Sequence, residues 1–275
     1  AAELIARYGA GKAKLLFDLG QEARALTLDR IAKHAIACDL ETRGHLTAAA
    51  KLADLSWMQV EAEALAAKME YPHARVLRRD ECAALVLAPN FHGGFLDQGG
   101  GHLHPLNYAL GLAAAARNAG VALHENARVV RLETEAGVVA HTETGAVRAR
   151  FGVLACDALL HDLEPRIGRR IMPVANYLVA TEPLQEAPVR GGLAVSDSRF
   201  VVNYFRMSAD GRLIFGGGER YTPAPPSDMA AFARGHMLKV FPQLASARID
   251  HAWGGLVSVT MSRLPHIVRL GDLFF

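Results

Sequence analysis

The chain has 275 residues, 51% of them hydrophobic and 21% charged, with a formal net charge of +2. That length can bury a substantial core and allows one large domain or two interleaved ones. The basic residues are dispersed rather than striped, which argues against nucleic acid or a membrane surface as partner, and no apolar run reaches the ~20 residues needed to cross a bilayer.

Cys38, Cys82 and Cys156 are an odd, widely spaced set without a C-x-x-C pair, as expected of reduced thiols in a cytoplasmic protein. The N-terminal AAELIARYGAGKAK lacks the layout of a signal peptide. There is no initiator Met and GDLFF stops in mid-strand, so both ends read as cut.

Residues 1 to about 33 read as helix, with Ile5, Tyr8, Leu15, Leu16, Leu19, Ala23 and Leu26 at helical spacing and an interruption at Gly9 and Gly11. The G-A-G-K there is no phosphate loop, because no strand precedes it and no Ser or Thr follows Lys12. A short strand is expected at His34 to Asp39, a helix at Thr47 to Met69, a strand at Arg75 to Leu77, and a helix turn at Glu81 to Leu85 capped by Asp80.

The stretch from Gly93 to Gly120 runs from a Gly-rich turn through a His-Leu-His-Pro corner into an Ala-rich helix. Pro105 fits its first turn and Gly120 its C′ position. Strands are expected at Val121 to Glu133, Gly137 to Thr142 and Ala146 to Leu154, joined by turns at Glu135-Ala136-Gly137 and Glu143-Thr144-Gly145. The run Gly152 to Ala155, leading to Cys156 and Asp157, has the shape of a buried strand opening onto a ligand.

From Ile171 the texture turns β-rich. Tyr177 to Thr181, Phe200 to Arg206, Arg212 to Phe215 and Ile249 to Met261 read as strands, with a turn at Asp210-Gly211. Met229 to Phe241 reads as a helix stopped by Pro242, residues 222–227 as a loop, and Leu273 to Phe275 as one more strand. No repeat or low-complexity linker is present, so two domains would be interleaved rather than serial.

His102 and His104, two apart, would point the same way on an extended chain, as a pair of metal ligands can. That motivates a rival reading as a metal-dependent hydrolase, although the other histidines are scattered singly.

The strings GHLHPLNYALGLAAAARNAGVALHENARVVRLE, GVLACDALL, IMPVANYLVATEPL, NYFRMSADGRLIFGGGERY and WGGLVSVTMSRLPHI, in that order, resemble FAD-dependent oxidoreductases of the D-amino-acid-oxidase-like (glycine/sarcosine oxidase) superfamily. Within it they are most similar to the gamma-glutamylputrescine oxidoreductases. The resemblance runs from about Ile36 to the last residue.

It implies an α/β (mixed α+β) two-domain fold, with interleaved FAD-binding and β-rich substrate domains. Residues 1–42, 103–170 and 263–275 would form a partial FAD-binding domain, and residues 43–102 and 171–262 the substrate domain. The first βαβ unit with its G-x-G-x-x-G turn, and the closing Gly-rich segment, find no match in the sequence.

The resemblance also implies oxidation of an amine or amino acid by hydride transfer to FAD, with molecular oxygen as the final acceptor. It maps Val129 onto an adenine-reading backbone position, and Ala155, Cys156 and Asp157 onto a strand end beside the cofactor. Arg263 would lie near the flavin. Tyr204, Arg206, His102 and Trp253 would bind substrate, with Arg206 clamping a carboxylate. The blander alternatives stand beside these: Val129 and Trp253 as core, Cys156 as a packed thiol, Arg263 in a structural salt bridge, Arg206 on a sheet edge. A third reading is a non-catalytic module that holds no FAD.

Overall fold

The structure, a computed structural model, describes residues 1–134, 137–221 and 224–274, with His161 described by its backbone alone. It opens on two helices, α1 (Ala2–Tyr8) and α2 (Ala10–Lys33), broken at Gly9, whose φ of 78° suits glycine. Both are helical as expected, yet Leu15, Leu19 and Leu26 are exposed while Ala13 and Ile31 are buried.

No strand forms at residues 34–39. Ala35 and Asp39 take positive φ, and Ile36 N–H closes back on Ile31 O at 2.9 Å, so the segment turns instead of extending. Strand β1 (His45–Ala48) follows and claims Thr47, so α3 starts only at Asp54 (Asp54–Lys68). After β2 (Ala74–Leu77), α4 (Arg79–Leu85) starts one residue before Asp80. The Glu81 side chain accepts the Arg78 N–H at 2.9 Å, so Arg78 rather than Asp80 is the cap.

Strand β3 (Gly94–Asp97) lies inside the expected Gly-rich turn. Helix α5 (Pro105–Asn118) has Pro105 in its first turn and Gly120 past its end at φ 87°, as read from sequence.

Next come β4 (Val129–Glu133), β5 (Val138–Thr142), β6 (Ala146–Ala149) and β7 (Gly152–Val153). Residues 121–128 are not strand, and the expected strand at 146–154 is two short ones. The expected turn at 135–137 falls partly outside the described residues, as do Thr222, Pro223 and Phe275.

A 3-10 helix (Asp157–Leu163) and α6 (Pro165–Gly168) lead into the long β8 (Ile171–Pro183). Strand β9 (Ala194–Asp197) was not expected, and β10 (Tyr204–Met207) is shorter than its reading. Strand β11 (Arg212–Arg220), helix α7 (Met229–Val240), β12 (Ile249–Thr260), β13 (Arg269–Leu270) and β14 (Leu273–Phe274) complete the order. Among the described residues, no helix is long and apolar enough to cross a membrane.

The chain divides into two compact units, residues 1–121, 177–218 and 228–253, and residues 122–176, 219–227 and 254–275. An eight-stranded sheet, ordered β12-β8-β11-β10-β9-β1-β3-β2, frames the first. One face of that sheet buries Phe205 and Phe215 against Phe241 just after α7, with ring centroids 4.9–6.5 Å apart. Full burial of such side chains stabilises by about 1.5–3 kcal/mol each.

The second unit holds two three-stranded sheets, β4-β5-β6 and β13-β14-β7, the last pair parallel. Val138, Leu154, Leu160, Ile167 and Leu273 form its core.

Candidate functional site

Strands β1, β9 and β10 alternate sharply. Leu46, Ala48, Val195, Asp197 and Phe205 are buried, while His45, Thr47, Ala194, Ser196, Tyr204 and Arg206 stand half-exposed on the opposite face. Register partners share a face, and here the register draws one row across five strands. Asp97 of β3 pairs with His45 of β1, His45 with Ala194 of β9, Ala194 with Arg206 of β10, and Arg206 with Ile214 of β11.

A cavity of about 530 Å³ opens over the His45, Ala194, Arg206 and Ile214 part of this row, with Asp97 outside its lining, and is walled also by Tyr204, Leu178, Trp253 and the His104-Pro105-Leu106 start of α5. A wider groove of about 690 Å³ runs between residues 34–37 and α5, lined by small apolar residues with His34, Asn107 and Asn118, but it holds no guanidinium or carboxylate. The smaller cavity is the one that brings a guanidinium together with His45, His104, Tyr204 and Trp253.

Arg206 dominates its electrostatics. The guanidinium donates from Nη1 to Met207 O at 3.2 Å and from Nη2 to Leu103 O at 3.3 Å, and no ion pair among the described residues includes it. Burial lowers its pKa from the ordinary arginine value, with Asp39 acting the other way. A half-buried cation whose partners among the described residues are carbonyls keeps donors available for an anion.

Tyr204 pairs across the strands with Gly216, where an added Cβ would meet the Tyr204 ring at 2.2 Å. Trp253, 40% exposed, supplies a second aromatic wall.

The two histidines of the His-Leu-His-Pro corner part company. His104 caps α5, its Nδ1 accepting the Asn107 N–H at 3.3 Å, and faces the cavity. His102 is tied to Glu41 by two backbone hydrogen bonds of 2.8 Å. It lines a separate 210 Å³ cavity with Asp39, Glu41 and the other side of Arg206. Its Nδ1 is buried without a hydrogen-bond partner. Burial, then the Arg206 charge, push its pKa down. Among the described residues no group of three or more His, Cys, Asp or Glu is placed to hold a metal ion.

His45 was not singled out in the sequence, although the alternation His-Leu-Thr-Ala puts it opposite buried Leu46. The helix expected from Thr47 hid that pattern.

The remaining candidates all belong to the second unit. Val129 opens β4 opposite Thr142, at a bulge. Ala155, Cys156 and Asp157 follow β7, Ala155 and Asp157 exposed and Cys156 half-buried. Asp157 takes φ 48° and its Oδ1 accepts the Ser258 N–H at 3.2 Å. Arg263, exposed, takes φ 57° and donates its N–H to Thr260 O at 3.0 Å.

Both glycine runs are packed against protein. Cβ atoms at Gly99, Gly100 and Gly101 would meet Tyr71, His45 and Glu41 at 1.8–2.8 Å, and those at Gly216, Gly217 and Gly218 would meet Tyr204, Asn203 and Phe232 at 2.2–2.6 Å. Neither run is an open cradle for phosphate.

A family model described as DAO, FAD dependent oxidoreductase, matches residues 1–275. The chain is 37% identical over 257 residues to a "probable oxidoreductase OrdL" of Rhizobium meliloti (strain 1021), covering 92% of this chain and 60% of that protein. It is 33% identical over 271 residues to the gamma-glutamylputrescine oxidoreductase of Escherichia coli (strain K12), covering 96% and 62%. It thus spans about three-fifths of the length of these curated relatives. The fold is similar to that of glycine oxidase from Geobacillus kaustophilus, with a TM-score of 0.76 at 20% identity over 92% of this chain and 69% of that one. With its mixed α/β fold and its family match over every residue, the chain belongs to the DAO family of FAD-dependent oxidoreductases.

Proposed function

We propose that the protein oxidises an amine or amino acid that carries a carboxylate, and that the substrate lies in the cavity over the His45–Arg206 row. The observation that carries this reading is Arg206, a half-buried guanidinium whose partners among the described residues are carbonyls, in a cavity walled by apolar and aromatic side chains together with His45 and His104. A charge-assisted pair to a substrate carboxylate there is worth about 1.5–3 kcal/mol.

Tyr204 and Trp253 give the cavity two ring-bearing walls, which fit the ring end of a flavin or the body of a substrate. The glycine runs do not fit its pyrophosphate, so this chain's residues match the substrate and ring side of such a site only. The chemistry a bound FAD supplies is acceptance of the substrate C–H hydride, with molecular oxygen as final acceptor. The chain's own part is to anchor the carboxylate on Arg206, orient the amine between Tyr204 and Trp253, and exclude water from the apolar wall. Val129, Ala155, Cys156, Asp157 and Arg263 are proposed to face the cofactor, and His102 to support Arg206 from behind.

The name of the Escherichia coli relative supports a gamma-glutamylputrescine-like amine as substrate. The closed glycine runs favour a second reading, in which this chain by itself is a folded module that holds no FAD. A visible absorption spectrum after incubation with FAD and gel filtration separates the two. Retained flavin bands support the oxidoreductase site in this chain, and a colourless protein supports the module.

A further inference from the structure

We infer that His45 is a specificity-determining residue of this cavity: it receives a second polar, hydrogen-donating group of a substrate whose carboxylate rests on Arg206. The inference rests on the reading of Arg206 given above and extends it to the other end of the row.

Three strands set the geometry. His45, Ala194 and Arg206 are successive register partners on β1, β9 and β10 and all three line the cavity. At about 4.8 Å per strand, the two polar residues stand roughly 10 Å apart at their backbones. Ala194 between them offers only a methyl group, so the space from His45 to Arg206 is a trough rather than a ridge. A small amino acid held on Arg206 leaves that trough unfilled, whereas an elongated one reaches along it.

The charges along the row run in one direction. Beyond His45 stands its partner Asp97, whose Oδ1 accepts from the Tyr71 hydroxyl at 2.6 Å and from the Gly99 N–H at 2.9 Å. Asp97 lies outside the cavity lining, so its carboxylate acts on this end from behind the imidazole, while the other end carries a guanidinium. A ligand with a cationic or N–H-bearing end and an anionic end is therefore favoured in one orientation, and a dicarboxylate is opposed.

The imidazole suits the task. Burial lowers its pKa, Asp97 acting the other way, so it is neutral near pH 7 and keeps one nitrogen lone pair as an acceptor. Gly100 packs close against its backbone and Cβ, since a Cβ on Gly100 would lie 2.8 Å from the His45 Cβ.

Isothermal titration of the purified chain with 6-aminohexanoate, hexanoate and adipate tests the inference. The expected order is 6-aminohexanoate about five- to tenfold tighter than hexanoate, the worth of one hydrogen bond, with adipate weakest. His45→Ala should erase the first preference while leaving hexanoate affinity and the melting temperature near those of the parent, and His45→Gln should keep part of it. Arg206→Gln should weaken both monocarboxylates alike. Equal affinity of the parent for the two, or an equal loss of both in His45→Ala, overturns the role of His45 while leaving Arg206 as anchor. Carboxylate binding that ignores Arg206→Gln, or no binding at all, overturns the substrate site itself.

Discussion

The ring of Tyr204 lies over its cross-strand partner Gly216, filling the space a Cβ there would need. The phenol thereby occupies the space above residue 216 in the wall of the cavity, and the absence of a side chain at 216 is what permits it. Gly216→Ala should push the ring off the sheet and cost about 1–3 kcal/mol, the usual penalty of overpacking. The same substitution in a Tyr204→Ala background should cost much less, since the clash is gone. Urea denaturation of the four proteins in that cycle measures the coupling, and additive losses would contradict the contact.

Arg206→Ala should weaken binding of a carboxylate ligand by about tenfold to a hundredfold, the equivalent of a lost charge-assisted pair. Arg206→Lys should recover only part of this, because an ammonium cannot keep the Met207 and Leu103 carbonyl contacts and present a planar fork at once. Titration calorimetry on the chain, and kcat/KM on a full-length relative, read the two arms.

Asp197 is buried at 3% exposure and organises the turn that launches β10. It accepts the backbone N–H groups of Arg199 and Asn203 at 3.2 and 3.1 Å and the Asn203 amide at 2.7 Å, and it pairs with the Arg199 guanidinium. Asp197→Ala should destabilise by about 2–4 kcal/mol, because buried donors lose their acceptor. Asp197→Asn should lose less. Chemical denaturation gives the stability difference, and a fall in carboxylate affinity beyond it would show that Tyr204 and Arg206 depend on this turn for their aim.

Three histidines should make the fold sensitive to mild acid. Burial holds His45, His102 and His236 below the ordinary histidine value, with Arg206 adding to the effect at His102 and Lys239 at His236, while Asp97 opposes it at His45. The unfolded chain then binds protons near pH 6.5 that the folded chain resists. Stability should be full above about pH 6.5 and decline as pH falls through that value towards the folded pKa values. Melting temperatures from about pH 7.5 to about pH 5, above the carboxylate range, should show the slope, and His236→Gln should flatten it. A pH-independent melting temperature in that window would refute the assignment.

The sequence made some of this legible and hid the rest for definite reasons. Helix α5 was readable because Pro105 and Gly120 mark its ends locally, and the β10–β11 hairpin because Asp210-Gly211 marks its turn. Strand alternation puts Tyr204 and Arg206 on one face, the family resemblance implies Trp253 as pocket wall, and all three line one cavity. Strands β1, β3 and β9 are four residues each and carry Ala or Gly where a strand signal needs branched side chains, so they passed for helix or loop. His45 escaped for another reason. Its place beside Arg206 follows from pairings between remote segments, and no local pattern encodes a register of that kind.

That parallel pairing of β1 with β9 also has a kinetic consequence. His45 and Ala194 lie roughly 150 residues apart in the chain, and among the described residues their contact closes the junction in the sheet order between β1–β3 and β8–β12. Loops of that length are costly to close and make folding slow. During synthesis the trough cannot exist until β10 has left the ribosome, so nascent chains should acquire ligand affinity late and in one step. Any cleavage that separates the two halves of the sheet before that junction forms should abolish binding altogether, whatever local structure each half retains.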